Sequence, residues 1–194
     1  MSISKQWLRL TIRGFLMGLL LCRLSHADDL PPSKQAIFLA RVIAYDGNLK
    51  VRAGAAVNVA ILAKRGDAES EKMADGVTKA FLPLEAATML GLPVRISRVS
   101  FGGRDALDKS VREGEIDTLY VCSGLEASLA DIKSVAHARK VLTMASKEEY
   151  LKLGLSLGVF SIDGKNKILV NLDASREEGV AFGPELLRLA TVVR

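Results

Sequence analysis

Three arginines are the side chains of this 194-residue sequence with the most obvious capacity to bind another molecule. Arg95, Arg98 and Arg104 fall within and just after a predicted strand, 93–99. Ligands of open α/β sheets bind beyond the carboxyl ends of the strands, so this spacing is compatible with a basic rim for a small anion. A solvated rim without a ligand is the alternative interpretation. Gly102-Gly103 could likewise present backbone N–H groups to an anion, although a flexible turn explains it more simply.

Nucleophiles and metal ligands are sparse. Ser123-Gly124 only partly matches a Gly-x-Ser-x-Gly elbow, and the first predicted strand ends without a Gly-x-Gly-x-x-Gly phosphate loop. His137, the one candidate base, lies in the last turn of a predicted helix, where the helix dipole favours a cation. The sequence has two histidines and two cysteines, and only one of each lies outside the N-terminal segment described below, which is too few for the usual zinc sites. The sequence therefore predicts a protein that is not an enzyme and binds no metal or cofactor.

Cys122 follows the apolar residues of a predicted strand. An unpaired cysteine in such a position is commonly a small buried hydrophobic residue. A reactive or intermolecular thiol is the alternative for an odd cysteine in an exported protein.

The N-terminal segment has the three parts of a secretory signal. Basic residues come first, residues 14–22 are apolar, and small residues stand at 25 and 27. Nine apolar residues are too few to span a membrane, which needs about 20. We predict a signal peptide over 1–27, cleaved between Ala27 and Asp28, a short linker over 28–32 and one domain over 33–194.

Removal of this leader changes the charge of the protein. The leader contains four basic residues and no acidic ones, so the formal charge falls from +5 to +1. Such a near-neutral chain lacks the concentrated positive charge that nucleic acid rewards, and nucleic acid is excluded as a partner. The predicted location is a periplasm, where the remaining single cysteine cannot form an internal disulfide.

The remaining sequence alternates between strand and helix patterns. Strands are predicted over 56–63, 93–99, 117–122 and 140–145, and helices over 34–46, 69–81, 104–114 and 125–137. This order favours an α/β domain of three layers, a mostly parallel sheet with helices on both faces. Segments 158–162 and 166–172, joined by Asp163-Gly164, predict a C-terminal antiparallel hairpin.

Side-chain caps and a terminal helix complete the predicted elements. Ser33 is expected to cap the first helix, and Ser146 with Glu149 has the spacing of a capping box. Asp173 is expected to cap a short helix, and a last helix is expected from Pro184 over PELLRLATVV.

The C-terminal third resembles the YfiR-like (HmsC-like) family of bacterial periplasmic proteins. The resemblance rests on VLTMAS (141–146), GVFSI (158–162), the Asp-Gly turn and NKILVNLDASREEGVAFGPELLRLA (166–190), with looser matches in KQAIFLARVIAY and VNVAILAKRGD. The chain lacks the family's strand cysteines, and Asp117 stands where one of them would be, so the family's disulfides cannot form. Residues 180–183 hold no basic side chain, so no ligand residue is carried over from the family.

The resemblance implies a non-catalytic regulator that binds the periplasmic part of an inner-membrane signalling protein. A diguanylate cyclase is the partner of the best-known type, which links the family to cyclic-di-GMP and biofilm formation. Phe160, Ile162 and Phe182 are our candidate partner contacts, and sheet core is the alternative for each. The other function considered is a small-ligand sensor, or an accessory protein of a TonB-dependent receptor or sensor kinase. An outer-membrane partner and a homodimer are both compatible with the sequence.

Overall fold

An eight-stranded sheet organises the computed structural model, which describes residues 30–193. Its strands are β1 Val57–Lys64, β2 Thr88–Met89, β3 Leu92–Phe101, β4 Thr118–Val121, β5 Leu142–Ala145, β6 Leu157–Ile162, β7 Lys165–Asn171 and β8 Ala190–Val193. They lie in the order β2-β3-β1-β4-β5-β6-β7-β8. The five strands from β3 to β6 are mutually parallel, whereas β2 pairs antiparallel with β3 and β7 pairs antiparallel with β6.

Helices cover both faces of this sheet. They are α1 Pro32–Ile43, α2 Leu49–Ala53, α3 Ala68–Phe81, α4 Arg104–Glu113, α5 Leu129–Arg139, α6 Glu148–Lys152, α7 Leu172–Glu177 and α8 Pro184–Leu189. One core cluster joins the sheet to α1, α3 and α8, and a second joins it to α4, α5 and α6. The predicted α/β class, with a mostly parallel sheet and a C-terminal antiparallel hairpin, is confirmed.

Strand β1 shows why the central strands are mostly apolar on both faces. Ile61 belongs to one core cluster and the adjacent Leu62 to the other, and both are fully buried. In a strand covered on both faces, apolar side chains on either side are removed from water. Burial of each large apolar side chain stabilises the fold by about 1.5–3 kcal/mol. This continuous burial holds the ends of the central strands in fixed positions, which matters for the site below.

The hairpin between β6 and β7 has the turn that the sequence predicts. Asp163 and Gly164 adopt positive φ angles of 53° and 69°. Two consecutive residues of this conformation make the turn whose twist matches the flanking strands.

The predicted terminal helix is wrong beyond Leu189. Helix α8 ends there, Ala190 is extended, and residues 190–193 pair in parallel with β7 as strand β8. The segment is rich in β-branched residues, and β7 would otherwise offer an open edge. Available ladder hydrogen bonds therefore override the helical pattern.

The three predicted side-chain caps are also wrong. Helix α1 begins at Pro32, whose missing N–H needs no partner, and the Ser33 side chain caps nothing. Helix α6 has Lys147 at its N-cap, so Ser146 and Glu149 form no capping box. Asn171, and not Asp173, caps α7 by accepting a hydrogen bond from the Ala174 N–H.

The predicted signal peptide and its cleavage site at Ala27 and Asp28 lie outside the described residues. Within residues 30–193, no helix has the length and apolar character needed to cross a membrane.

Candidate ligand-binding crevice

A crevice of about 620 Å³ opens at the carboxyl edge of the parallel strands. The chain passes from β1 to β3 on one side and then to β4 on the other, so the strand order reverses beside β1. Ligands of open α/β sheets bind at such reversals. Ser123, just after β4, and Ser146, just after β5, both line the crevice, and α1 and α3 close it from one face.

The floor of the crevice is a buried polar chain. Gln35 of α1 is only 5% exposed. Its Oε1 accepts a hydrogen bond from the Tyr120 hydroxyl at 2.6 Å, and its Nε2 donates to the Ser146 carbonyl at 3.3 Å. Both polar ends of the Gln35 amide are therefore occupied, and they tie the start of α1 to strands β4 and β5.

Ser146 provides a polar group of the floor whose hydrogen-bonding capacity is unused. The residue is 7% exposed, and its Oγ, although buried, finds no hydrogen-bond partner among the described residues. Side chains alternate along β5, so Ser146 faces the same side of the sheet as Met144, toward α1. An unsatisfied buried hydroxyl costs about 1–3 kcal/mol, which a bound molecule can recover by supplying the missing bond.

The rim of the crevice is acidic. Glu69 lies in the first turn of α3, and Glu148 and Glu149 lie in the first turn of α6. Carboxylates are favoured at these positions because helix N-termini are partly positive. The Lys147 ammonium, the one cation among the residues that line the crevice, lies 2.7 Å from Glu126. This hydrogen bond lowers the pKa of Glu126 to about 2, so Lys147 is already matched by a carboxylate outside the crevice.

Apolar side chains form the remaining walls. Met73 contributes from α3, Leu30 and Pro32 from the start of the described chain, and Phe160 from β6. The Phe160 ring lies over Gly158, where a Cβ atom would overlap it. Gly158 therefore allows the ring to lie flat against the strand. The crevice as a whole combines an acidic rim, an apolar wall and one unsatisfied hydroxyl.

The predicted arginine rim is not assembled. Arg95 and Arg98 lie three residues apart in β3 and so face opposite sides of the sheet. The Arg98 guanidinium forms ion pairs with Glu71 and Asp75 of α3. Arg104 begins α4 and is exposed. None of the three lines the crevice, and they do not share one surface.

The predicted partner contacts lie in three environments. Phe160 is 8% exposed and forms part of the crevice wall. Ile162 is half-buried at the tip of the hairpin and packs on the α4 and α5 face. Phe182 is half-buried on the opposite face and bridges to Asp46. The fold does not bring these three side chains together.

The Ser123 and His137 pair considered for catalysis is also separated. Ser123 follows β4 at the carboxyl edge, and its N–H donates to the Met73 sulfur at 3.4 Å. His137 lies near the end of α5 at the other edge, where its Nδ1 is 2.7 Å from Glu177. Burial lowers the pKa of His137. These two side chains cannot act as nucleophile and base for each other.

The amino edge of the sheet contains a network of buried charges. Arg52 of α2 pairs with Asp46 at 2.7 Å and donates to the carbonyls of Asp117 and Lys140. Burial raises the pKa of Asp117, which accepts a hydrogen bond from the Asn58 N–H at 2.8 Å. A cavity of about 440 Å³ adjoins this network. Arg52, Arg112 and Arg139 of its lining each pair with an aspartate, and the Lys140 ammonium donates to the Glu177 carbonyl, which indicates that the network joins segments of the chain to one another.

Glu178 is the most deeply buried carboxyl of this edge. It accepts hydrogen bonds from the Thr143 N–H at 2.8 Å, from the Thr143 hydroxyl at 2.6 Å and from the Ser156 hydroxyl. Burial nevertheless raises its pKa to about 8. The group links α7 to the first residues of β5 and to the residue before β6.

Sequence reasoning missed the crevice residues Gln35, Glu69, Ser146 and Glu148. A usable signal was present, because Ser123 and Ser146 each follow a strand, and the two strands are neighbours. Glu149, shortly after the second of them, was interpreted as part of a capping box.

Three solved structures have this fold. The ABC domain from Streptococcus pneumonia, solved in complex with L-Trp, is 13% identical, with a TM-score of 0.59 and coverage of 84% of this chain and 60% of its own. A conserved domain protein from Vibrio cholerae is 13% identical, with a TM-score of 0.61 and coverages of 86% and 61%. A substrate-binding protein with adhesive properties from Clostridium difficile, in its ligand-free, open form, is 14% identical, with a TM-score of 0.53 and coverages of 76% and 57%.

The chain thus spans about 60% of the length of these solved proteins. At such low identity the likeness concerns the α/β fold alone. No curated protein matches the sequence.

A family model described as YfiR/HmsC-like matches residues 68–191. The chain belongs to this family of periplasmic regulators, and membership supports a regulatory role.

Proposed function

We propose that this chain is a non-catalytic periplasmic protein that represses or modulates an inner-membrane signalling protein such as a diguanylate cyclase. The family match over residues 68–191 carries the proposal. The predicted signal peptide supports the location, since residues 1–27 have the pattern of an exported protein. The downstream consequence is a change in cyclic-di-GMP and in biofilm formation.

Regulation by binding requires that the protein prefer one state of its partner. A regulator that binds the inactive state of a sensor more tightly shifts the population toward that state. Half-buried apolar side chains at the surface suit such a contact, because they can be covered without unfolding anything. Ile162 at the hairpin tip and Phe182 before α8 remain our candidate contacts, and Phe160 is proposed to act through the crevice wall.

The crevice favours a second, compatible role as a small-ligand sensor. Its volume falls within the range of small-molecule sites, about 300–1,000 Å³. A ligand there would contact α1, α3 and α6 at once, so binding could alter the surface offered to a partner. The small anion considered for the arginine rim does not suit the acidic rim of this crevice.

Deletion of the gene and complementation with the intact chain test the regulatory proposal. Cells that lack the protein are expected to contain more cyclic-di-GMP and to form more biofilm, and complementation should reverse both changes. Matched complementation with Ile162→Asp and Phe182→Asp, in proteins shown to be folded, should fail if these residues contact the partner. Unchanged cyclic-di-GMP in the deletion strain would contradict the cyclase version of the proposal.

A further inference from the structure

We propose that the crevice at the carboxyl edge of the sheet binds a small organic ammonium ion with an apolar body. This inference deepens the sensor role proposed above, but binding itself can be measured on the isolated protein. It is carried by three features of the crevice: the sign of its charge, the buried hydroxyl of Ser146 and the apolar wall that faces them.

The charge of the lining selects a cation over an anion. Three carboxylates, those of Glu69, Glu148 and Glu149, line the crevice against one ammonium group, and Lys147 is already paired with Glu126. Lys152 pairs with Glu148 at 3.0 Å, and no ion-pair partner for Glu69 or Glu149 occurs within residues 30–193. A positive ligand therefore gains attraction at Glu69 and Glu149, whereas an anion is repelled.

The arrangement of these groups favours an organic cation over a metal ion. Nowhere in the described residues do three or more His, Cys, Asp or Glu side chains come together as a metal site would require. Calcium takes six to eight oxygen ligands at short distance, and the carboxylates here stand on two separate helices. An ammonium group needs only two or three acceptors, which can be spread around it.

Ser146 supplies an independent sign of a ligand. Its residue is 7% exposed and lines the crevice, and its hydroxyl has no hydrogen-bond partner in the part of the chain that the structure describes. The hydroxyl oxygen can accept a hydrogen bond from an ammonium N–H. The neighbouring Gln35 amide already has one partner at each end, the Tyr120 hydroxyl and the Ser146 carbonyl, whereas the Ser146 hydroxyl has none among the described residues.

The apolar wall defines the rest of the ligand. Met73 and Phe160 face the crevice together with Leu30 and Pro32, and none of these side chains has a strong hydrogen-bonding group to offer. Apolar carbon placed against them is removed from water, which stabilises the complex by about 25 cal/mol for each Å² buried. A primary amine on an aromatic or branched alkyl body matches both halves of the crevice.

Calorimetric titration of the exported, purified protein with three probes of similar size tests this inference. The probes are the 2-phenylethylammonium ion, the neutral 2-phenylethanol and the anion phenylacetate. We expect saturable binding of the ammonium ion, binding of the alcohol weaker by about tenfold or more, and no binding of phenylacetate. The alcohol loses the charge-assisted hydrogen bond, and the negative charge of phenylacetate is repelled by the carboxylates. Raised salt should weaken the ammonium complex.

Variants locate the binding. The double variant Glu69→Gln with Glu149→Gln should weaken ammonium binding about tenfold or more, and Ser146→Ala about fivefold. Ser146→Ala should not lower the melting temperature, because its hydroxyl makes no bond in the free protein. Glu185→Gln, at an exposed glutamate of α8 away from the crevice, is the matched control and should bind like the original protein.

The results that overturn the inference are distinct from those that overturn the regulatory role. Failure of the ammonium probe to bind, equal or tighter binding of phenylacetate, or ammonium binding unaffected by the crevice variants would each overturn it. Tight binding of Ca²⁺ that the double variant abolishes would also overturn it, in favour of a metal site. None of these outcomes depends on cyclic-di-GMP in cells.

Discussion

Glu178 is a carboxyl group whose surroundings set a pH dependence for the whole fold. It is fully buried, and burial raises its pKa to about 8 although three donors point at it. The folded protein therefore holds this proton more tightly than the unfolded chain does. Stability from this group is fully present below about pH 4.5 and is lost as the pH rises toward 8.

We expect the free energy of unfolding to fall by several kcal/mol between pH 5 and 8, since each pKa unit is worth about 1.4 kcal/mol. Glu178→Gln should remove most of this slope while it lowers stability at pH 5, because an amide cannot replace all the accepted hydrogen bonds. Urea titrations across that pH range measure both effects. A slope that persists unchanged in Glu178→Gln would show that another group is responsible.

The surroundings of Cys122 favour a buried hydrophobic residue over a reactive thiol, the two interpretations that the sequence leaves open. The side chain is fully buried after β4, and burial raises the pKa of its thiol to about 12. Thiolates react and thiols do not, so both access and ionisation oppose modification. A maleimide should label the native protein no faster than the protein unfolds and should label the denatured protein at once. Stoichiometric labelling of the native protein within the mixing time would refute this assignment.

At the scale of elements, substitutions of two glycines by alanine test the packing, and we expect them to change stability in opposite directions. Gly158 of β6 lies beneath the Phe160 ring and 3.2 Å from Leu151 once a Cβ is added, so Gly158→Ala should destabilise by about 1–3 kcal/mol. Gly76 lies inside α3 with open space around it, so Gly76→Ala should stabilise by about 0.5–1 kcal/mol.

Chemical denaturation of both variants provides the measurement, and each serves as the other's control for the change from glycine to alanine. A stabilising effect of Gly158→Ala would show that the ring moves aside at no cost. That result would contradict its assignment as a fixed wall of the crevice.

The elements that the sequence predicts well are those whose pattern is local. Strand β1 is apolar without interruption from Val59 to Ala63, and the Asp163-Gly164 turn has the residues that positive φ angles require. Strand β8 and the capping residues were mispredicted for the opposite reason. Thr191 and Val192 become strand only because β7 lies beside them, and Asn171 displaces Asp173 as the cap because β7 ends there.

At the scale of the whole molecule, the position of the crevice could be predicted from the sequence, but the charge of its lining could not. The parallel order of β4 and β5 predicts that Ser123 and Ser146 meet at one edge. The pairing of Arg98 with α3 and of Lys147 with Glu126 depends on tertiary packing, and it decides the sign of the site. The three arginines were compatible with a rim for a small anion or with a solvated rim, whereas the lining of the crevice is acidic.

Location of the protein is the claim on which the regulatory account rests most directly. Two versions of the chain should be expressed in cells that lack it: the full sequence, and the same sequence without residues 1–27 after a new initiating methionine. Intracellular cyclic-di-GMP is the measurement, with equal amounts of folded protein confirmed by immunoblot and protease resistance. The account predicts that only the full sequence restores the normal level, and full restoration by the shortened version would contradict it.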